Sequence, residues 1–270
     1  MSLPIRAKHA LGQHFITDAN LLRRMVAETP LAPGDAVFEV GPGLGDLTRV
    51  LAEQAGQVVA LEVDHDLVPL LQQQFADQPS VQIVEGDVME ANLPALLAPL
   101  GRFHVIANLP YYLTTPILTL LLRLALPVAS ICVTVQQEAA QRVLAHPSSK
   151  EYGPLSILAQ YRTAPRAALD IPRRSFTPPP HVESTFLVMP ALEKPPVIVP
   201  DEVAFLKLVQ TSFAMRRKTL VNNMMSAYGL RRADAQGIIT QAGLSPTVRA
   251  EALSLDEFAR LDAALRAFSP

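Results

Sequence analysis

Between about Val37 and Met189 the chain alternates two hydrophobic patterns. Short apolar, largely β-branched runs occupy 37–40, 58–62, 81–84, 103–107, 131–135 and 184–188. Between them lie stretches such as 47–54 and 67–75, where apolar residues recur three and four apart. Continuously apolar runs fit strands buried on both faces, and the intervening period fits amphipathic helices. Alternation of the two predicts a doubly wound α/β sheet with helices on both faces, of the Rossmann-like type. Ligands of such sheets bind beyond the carboxyl ends of the strands, so the residues just after each run are the ones to read for chemistry. Past a Pro-rich stretch at 191–200 the pattern is helical only, over 202–214, 218–228, 232–241 and 255–268. The expected organisation is a catalytic domain over 1–190, a linker at 191–200 and a small all-α domain over 201–270.

Composition narrows the class. Of 270 residues, 49% are hydrophobic and 18% charged, which supports a buried core and excludes disorder. No run of 18 uncharged apolar residues occurs, and Met1 to Arg6 lacks a signal-peptide core, so a soluble cytoplasmic protein without membrane contact is expected. The single cysteine, Cys132, sits in an apolar run and reads as a small buried hydrophobe. The net charge is −2, but it is uneven. From residue 200 onward nine Lys and Arg face seven Asp and Glu, which makes that part basic and the remainder acidic.

Gly41-Pro42-Gly43-Leu44-Gly45 follows the first run and precedes a helical stretch, as a loop that lets a ligand approach the backbone would. Glu62 ends the second run, where a carboxylate can hold both ribose hydroxyls of an adenosine. Asp87 ends the third and can reach an adenine amino group. A dinucleotide needs G-x-G-x-x-G, whereas this spacing is G-x-G-x-G, with Asp46 an unfavourable neighbour for phosphate. S-adenosylmethionine carries a sulfonium and an amino group and tolerates carboxylates, so Gly41, Gly43, Glu62 and Asp87 are read as a methyl-donor site.

Asn108-Leu109-Pro110-Tyr111 follows the fourth run. An adenine N6 amine is a poor nucleophile because its lone pair is delocalised into the ring. Acceptors on its two protons, the Asn108 side-chain oxygen and the Pro110 carbonyl, would turn that lone pair toward the methyl group. Asn108 would also border the donor, and Tyr111 can stack on an extruded base. The electrophile is already activated, so no metal is required, and no H-x-x-x-H or C-x-x-C cluster is present.

Together these motifs resemble the ribosomal RNA adenine dimethylases. The similarity is closest to the branch that dimethylates two adjacent adenosines in a hairpin near the 3′ end of small-subunit (16S) ribosomal RNA. Leu11-Gly12-Gln13-His14-Phe15-Ile16, Tyr152-Gly153-Pro154-Leu155-Ser156 and Phe176-Thr177-Pro178-Pro179-Pro180-His181-Val182 match family motifs as well, so the resemblance runs almost end to end. It implies that His14 and Ile16 contact the methionine part of the donor and that Phe176 helps sandwich the flipped base. It also implies that Arg216, Arg217 and Lys218, three adjacent cations expected around a helix start, bind RNA phosphates. His14 replaces a common Asn and Ile16 a common Leu, both still able to contact the cofactor, and Gln137 replaces a usual Lys, a lost cation that bears on an RNA or cofactor-shell contact and not on the reaction centre. The function expected is dimethylation of 16S ribosomal RNA during small-subunit biogenesis, by a monomer. The alternatives are a large-subunit dimethylase of the macrolide-resistance type, a non-catalytic assembly factor and, disfavoured by the glycine spacing, a dehydrogenase.

Overall fold

A computed structural model describes Lys8 and residues 11–268 of the chain; the reading of residues 1–6 lies outside the described residues. Its strands are β1 (Phe15–Ile16), β2 (Ala36–Val40), β3 (Gln57–Glu62), β4 (Val81–Glu85), β5 (Phe103–Asn108), β6 (Val128–Gln136), β7 (Arg166–Ile171), β8 (Phe176–Thr177) and β9 (Ser184–Pro190). Its helices are α1 (Ala19–Ala27), α2 (Asp46–Ala52), α3 (Val68–Gln74), α4 (Leu93–Leu97), α5 (Thr114–Arg123), α6 (Gln137–Leu144) and α7 (Pro154–Arg162), followed by α8 (Glu202–Ser212), α9 (Leu220–Tyr228), α10 (Arg232–Gln241) and α11 (Leu255–Ala267).

Seven strands form one sheet in the order β4-β3-β2-β5-β6-β9-β7. The first five run parallel, and β9 is antiparallel to both β6 and β7. Successive strand residues point to opposite faces, yet neighbours of both parities are buried: Val37 with Phe38, Val58 with Val59, Val105 with Ile106. Both faces are therefore covered, which is why these strands read as continuous apolar runs. On one face α1 and α2 supply Leu22, Met25, Leu47 and Leu51 to a core with Val37, Val58, Ile106 and Cys132. Burial pushes the Cys132 thiol up to about 11, in keeping with an inert core residue. The chain runs outward from β2 through β3 to β4, then returns to place β5 on the other side of β2. That reversal opens a crevice beyond the carboxyl ends of β2 and β5.

The chain divides into two compact units, one of residues 1–140 and 163–191 and the other of residues 141–162 and 192–270. The partition departs from the contiguous boundary expected at 190. Ala145, Tyr152, Ile157 and Tyr161 pack into a core with Phe205, Phe213, Leu253 and Phe258, and the buried Tyr152 hydroxyl donates to the Leu253 carbonyl at 2.9 Å. Val197, within the expected linker, is buried in the same core. Two helix starts in this unit, those of α8 and α11, carry side-chain caps. The Asp201 carboxylate accepts from the Ala204 N–H, and Ser254 and Glu257 form a reciprocal capping box at α11.

Candidate active site

A cleft at the reversal point is lined by residues of the β2–α2 loop, the ends of β3 and β5, and the 11–16 segment. Gly41, Gly43 and Gly45 all have left-handed backbone, with φ of 66°, 59° and 79°. At Gly43 the demand for glycine is double, because a Cβ would also stand 2.8 Å from the Phe15 ring. A Cβ at Gly41 would meet nothing within 4 Å, so the chain there faces open space.

Glu62 is buried at the end of β3, and its two oxygens accept from the Gly43 and Asp64 N–H groups, each at 2.9 Å. It clamps the glycine loop and keeps further lone pairs, while burial raises its pKa. Glu39 lies beside it, wholly buried, accepting from the Thr48 hydroxyl at 2.7 Å. Burial pushes the Glu39 carboxyl up to about 8, with the nearby Glu62 adding to the shift against the Thr48 bond. Asp46 is a third carboxylate in the lining, with no lysine or arginine among the lining residues. With no cation in the lining, Asp46 and the hydrogen-bonded Glu62 fit a cationic ligand with a ribose diol better than a pyrophosphate.

His14 and Ile16 line the cleft, Ile16 on β1 and His14 just before it. Their segment is tethered by a contact the sequence did not reveal. Asp64 accepts from Lys8 Nζ at 2.5 Å and from Gln13 Nε2 at 2.8 Å. Asp87 is not among the lining residues. It lies in the turn beyond β4, where its Oδ1 accepts from the Met89 N–H at 2.8 Å.

Asn108, the last residue of β5, carries the most pointed feature of the site. Its Nδ2 donates to the His14 carbonyl at 2.8 Å, whereas its buried Oδ1 has no hydrogen-bond partner among the described residues. A carbonyl only accepts, so the amide cannot be flipped. The oxygen is therefore oriented as an acceptor by the anchoring of its own amide nitrogen. Leu109 and Pro110 line the same cleft. The Pro110 carbonyl is already engaged: it accepts from the Leu113 N–H at 3.1 Å and from the Thr114 hydroxyl at 3.3 Å, closing the 3-10 turn at Tyr111–Leu113. Two donors occupy both of its lone pairs. The Leu109 carbonyl accepts no hydrogen bond among the described residues.

The aromatic arrangement also departs from expectation. The His14 ring stacks on Tyr111, with centroids 5.4 Å apart and planes 25° from parallel. Phe176 is buried and meets Tyr111 edge to face, at 6.4 Å and 73°. Two rings that sandwich a base must be near parallel with a gap between them, so Tyr111 and Phe176 do not form a sandwich in this arrangement. Instead β8 pairs with β1, setting Phe176 opposite Ile16, and the Tyr111 hydroxyl shares a 2.6 Å hydrogen bond with Ser184. His14 Nδ1 donates to the Pro178 carbonyl at 2.7 Å, which fixes the ring that covers Tyr111. Gln137 sits at the start of α6, its N–H donating to the Glu183 carbonyl at 3.1 Å.

In the second unit Arg216, Arg217 and Lys218 are exposed and form no ion pair among the described residues. They occupy the turn between α8 and α9 rather than the start of a helix: Thr219, in extended conformation, holds the N-cap position and α9 begins at Leu220. The buried Asn223 fixes the turn, its Oδ1 accepting from the Met215 N–H at 2.8 Å and its Nδ2 donating back to the Met215 carbonyl at 3.4 Å. Arg216 Nη2 donates to the Lys150 carbonyl at 2.8 Å. Arg231, by contrast, is paired with Asp234 at 2.7 Å. Among the described residues no group of three or more His, Cys, Asp or Glu is placed to hold a metal ion, and no helix is long and apolar enough to cross a membrane.

A mostly parallel sheet with a glycine loop and acidic cleft at its reversal point, beside a fixed amide acceptor, defines a methyltransferase of the Rossmann-like class. Solved structures share the fold. The 23S rRNA methyltransferase ErmE aligns with a TM-score of 0.69 at 22% identity, over 93% of this chain and 99% of that one. A dimethyladenosine transferase from Plasmodium falciparum aligns at 0.74 and 20% identity, over 92% and 96%. A family model described as ribosomal RNA adenine dimethylase matches residues 5–265. The ribosomal RNA small subunit methyltransferase A of Shouchella clausii (strain KSM-K16) is 44% identical over 266 residues, covering 96% of this chain and 89% of the relative. That of Streptococcus sanguinis (strain SK36) is 42% identical over 267 residues, covering 96% and 92%. The chain belongs to the ribosomal RNA adenine dimethylase family.

Proposed function

We propose that the chain transfers methyl groups from S-adenosylmethionine to N6 of two adjacent adenosines in a hairpin near the 3′ end of small-subunit ribosomal RNA, in the cytoplasm. The observation that carries this reading is the buried, unpartnered Oδ1 of Asn108 on the lip of an acidic cleft. The donor supplies a methyl group already activated on a sulfonium, so the protein's task is to position the amine and hold its protons. Asn108 Oδ1 accepts one N6 proton. The carbonyl that best serves the other is that of Leu109, because the Pro110 carbonyl is committed to its own turn. Both acceptors are held before the base arrives, and preorganisation of this kind lowers a barrier without reorganisation cost.

Glu62 offers its remaining lone pairs to the ribose hydroxyls while clamping the Gly41-to-Gly45 loop. His14 and Ile16 border the methionine part, and Asp87 keeps Oδ2 for the adenine amino group. Phe176 acts from the side, holding Tyr111 in place by its edge contact. In the other unit, the rigid turn that presents Arg216, Arg217 and Lys218 contacts RNA phosphates. Small-subunit rather than large-subunit RNA is favoured by the relatives at 42–44% identity, which are named for the small subunit. The test is incubation with labelled donor and a mixture of unmethylated small and large subunits, with the product mapped by mass spectrometry. Dimethyladenosine at two neighbouring positions is expected. Label confined to large-subunit RNA, or absent from RNA, overturns the reading.

A further inference from the structure

We propose that Tyr112 and the backbone of Gly12 form a nucleobase-stacking subsite on the rim of the catalytic cleft, taken by an unpaired base adjacent to the adenine being methylated. Tyr112 is the one aromatic among the exposed large apolar side chains of the described residues, at 56% exposure. It directly follows the Asn108-to-Tyr111 tetrad and lies in the same 3-10 turn, so its backbone is fixed to the reaction centre. The ring is not loose. Its Cδ1 and Cε1 lie 3.0 and 3.3 Å from where a Cβ on Gly12 would stand, and Gly12 has a φ of +60°. Any larger residue at 12 would displace the ring; with glycine the ring rests against the main chain of a cleft-lining residue.

An exposed tyrosine with one side braced and the other open has the form of a stacking platform, which single-stranded nucleic acid uses with little regard to base identity. The two aromatics expected to stack a base are spoken for: His14 covers Tyr111, and Phe176 is buried edge-on to it. That leaves Tyr112 as the open ring beside the acceptors. The substrate of the proposed reaction has two neighbouring adenines, so when one enters the cleft the other is unstacked on one side and needs a partner. The subsite rests on the reading of the substrate as RNA.

The experiment measures methyl transfer to unmethylated small subunits with varied subunit and donor concentrations, for the full chain and for Tyr112→Ala, Tyr112→Leu and Tyr112→Phe. Loss of a stacked base predicts a subunit KM raised about tenfold in the Ala and Leu variants, the lower end of measured base–aromatic contributions. The donor Kd stays within twofold of the unsubstituted chain by calorimetry, and Tyr112→Phe recovers the subunit KM. Leucine keeps the apolar contact with Gly12 but has no π-face, so Leu behaving like Phe overturns the subsite in favour of plain packing. An unchanged subunit KM in Tyr112→Ala overturns it, as does a parallel loss of donor affinity. An unsubstituted chain that leaves subunits unmethylated overturns the substrate reading instead.

Discussion

Replacing Glu39 by Gln should change how the protein's stability depends on pH. Glu39 is fully buried, and its carboxyl is pushed up to about 8 from an ordinary value of 4.5. The folded state therefore keeps the Glu39 proton over a range in which the unfolded chain releases it. A group whose folded pKa is raised contributes stability that is complete below the unfolded value and is lost as pH rises toward the folded one. The slope is about 1.4 kcal/mol per pH unit between 4.5 and 8, so the loss reaches about 5 kcal/mol above pH 8. Glutamine has nearly the same shape, stays neutral, and its amide oxygen can accept the Thr48 hydroxyl in place of the carboxyl. The assay is urea unfolding of both proteins from pH 5 to 9. The free-energy gap in favour of Glu39→Gln should widen steadily to about pH 8 and then level off. Glu62 titrates in both proteins, so its own contribution largely cancels. Parallel stability curves, or a gap that narrows as pH rises, would refute the reasoning.

Asn108→Ala removes the fixed acceptor while leaving the glycine loop and Glu62 untouched; methyl transfer should fall by ~10²-fold or more with donor affinity by calorimetry largely kept. Unchanged turnover would remove Asn108 from the chemistry. Exchanging Arg216, Arg217 and Lys218 for Gln together should lower RNA affinity and flatten its salt dependence by roughly two to three in log–log slope, from about 0.7–0.9 per phosphate contact. An unaltered slope in filter-binding titrations would make the turn an ordinary solvated surface. Thr114→Val deletes the hydroxyl that donates to the Pro110 carbonyl. If Leu109 is the second acceptor, single-turnover methyl transfer should hold or fall by a few-fold as the turn slackens; a rise would mean that freeing the Pro110 carbonyl freed a catalytic acceptor.

The sheet was legible because its signal is local. Residues buried on both faces leave continuous apolar runs, and β2, β3, β5 and β6 all lie where such runs predict them. Edge strand β7, Arg-Ala-Ala-Leu-Asp-Ile, is largely exposed and leaves no such run, so no pattern marked it. The grouping of residues 141–162 was illegible for a different reason. An amphipathic helix records that one face is buried, not which core buries it, and α7 joins the core of α8 to α11 through side chains such as Ile157 and Tyr161. Likewise Arg216 to Lys218 lie one turn short of a helix because a buried asparagine seven residues on, Asn223, holds the preceding backbone. That is a tertiary decision about local structure.

The site shows the same division at atomic scale. Residue identity revealed which groups can accept or stack, and Asn108 on a strand end needed nothing more. What identity could not reveal is which of those groups the fold has already used. The Pro110 carbonyl is as good an acceptor as its neighbour until its chain turns at Tyr111 and brings the Leu113 N–H and the Thr114 hydroxyl onto it. Tyr111 offers a ring face until a strand pair, β1 with β8, draws His14 across it. Dimethylation sharpens the point. After the first transfer the amine has a single proton left, so only one of two acceptors can be satisfied in the second. Asn108 Oδ1 is held in place from within the protein, because its amide nitrogen is anchored to the His14 carbonyl. An acceptor positioned by the scaffold rather than by the substrate suits a reaction that must proceed once with both protons held and once with only one.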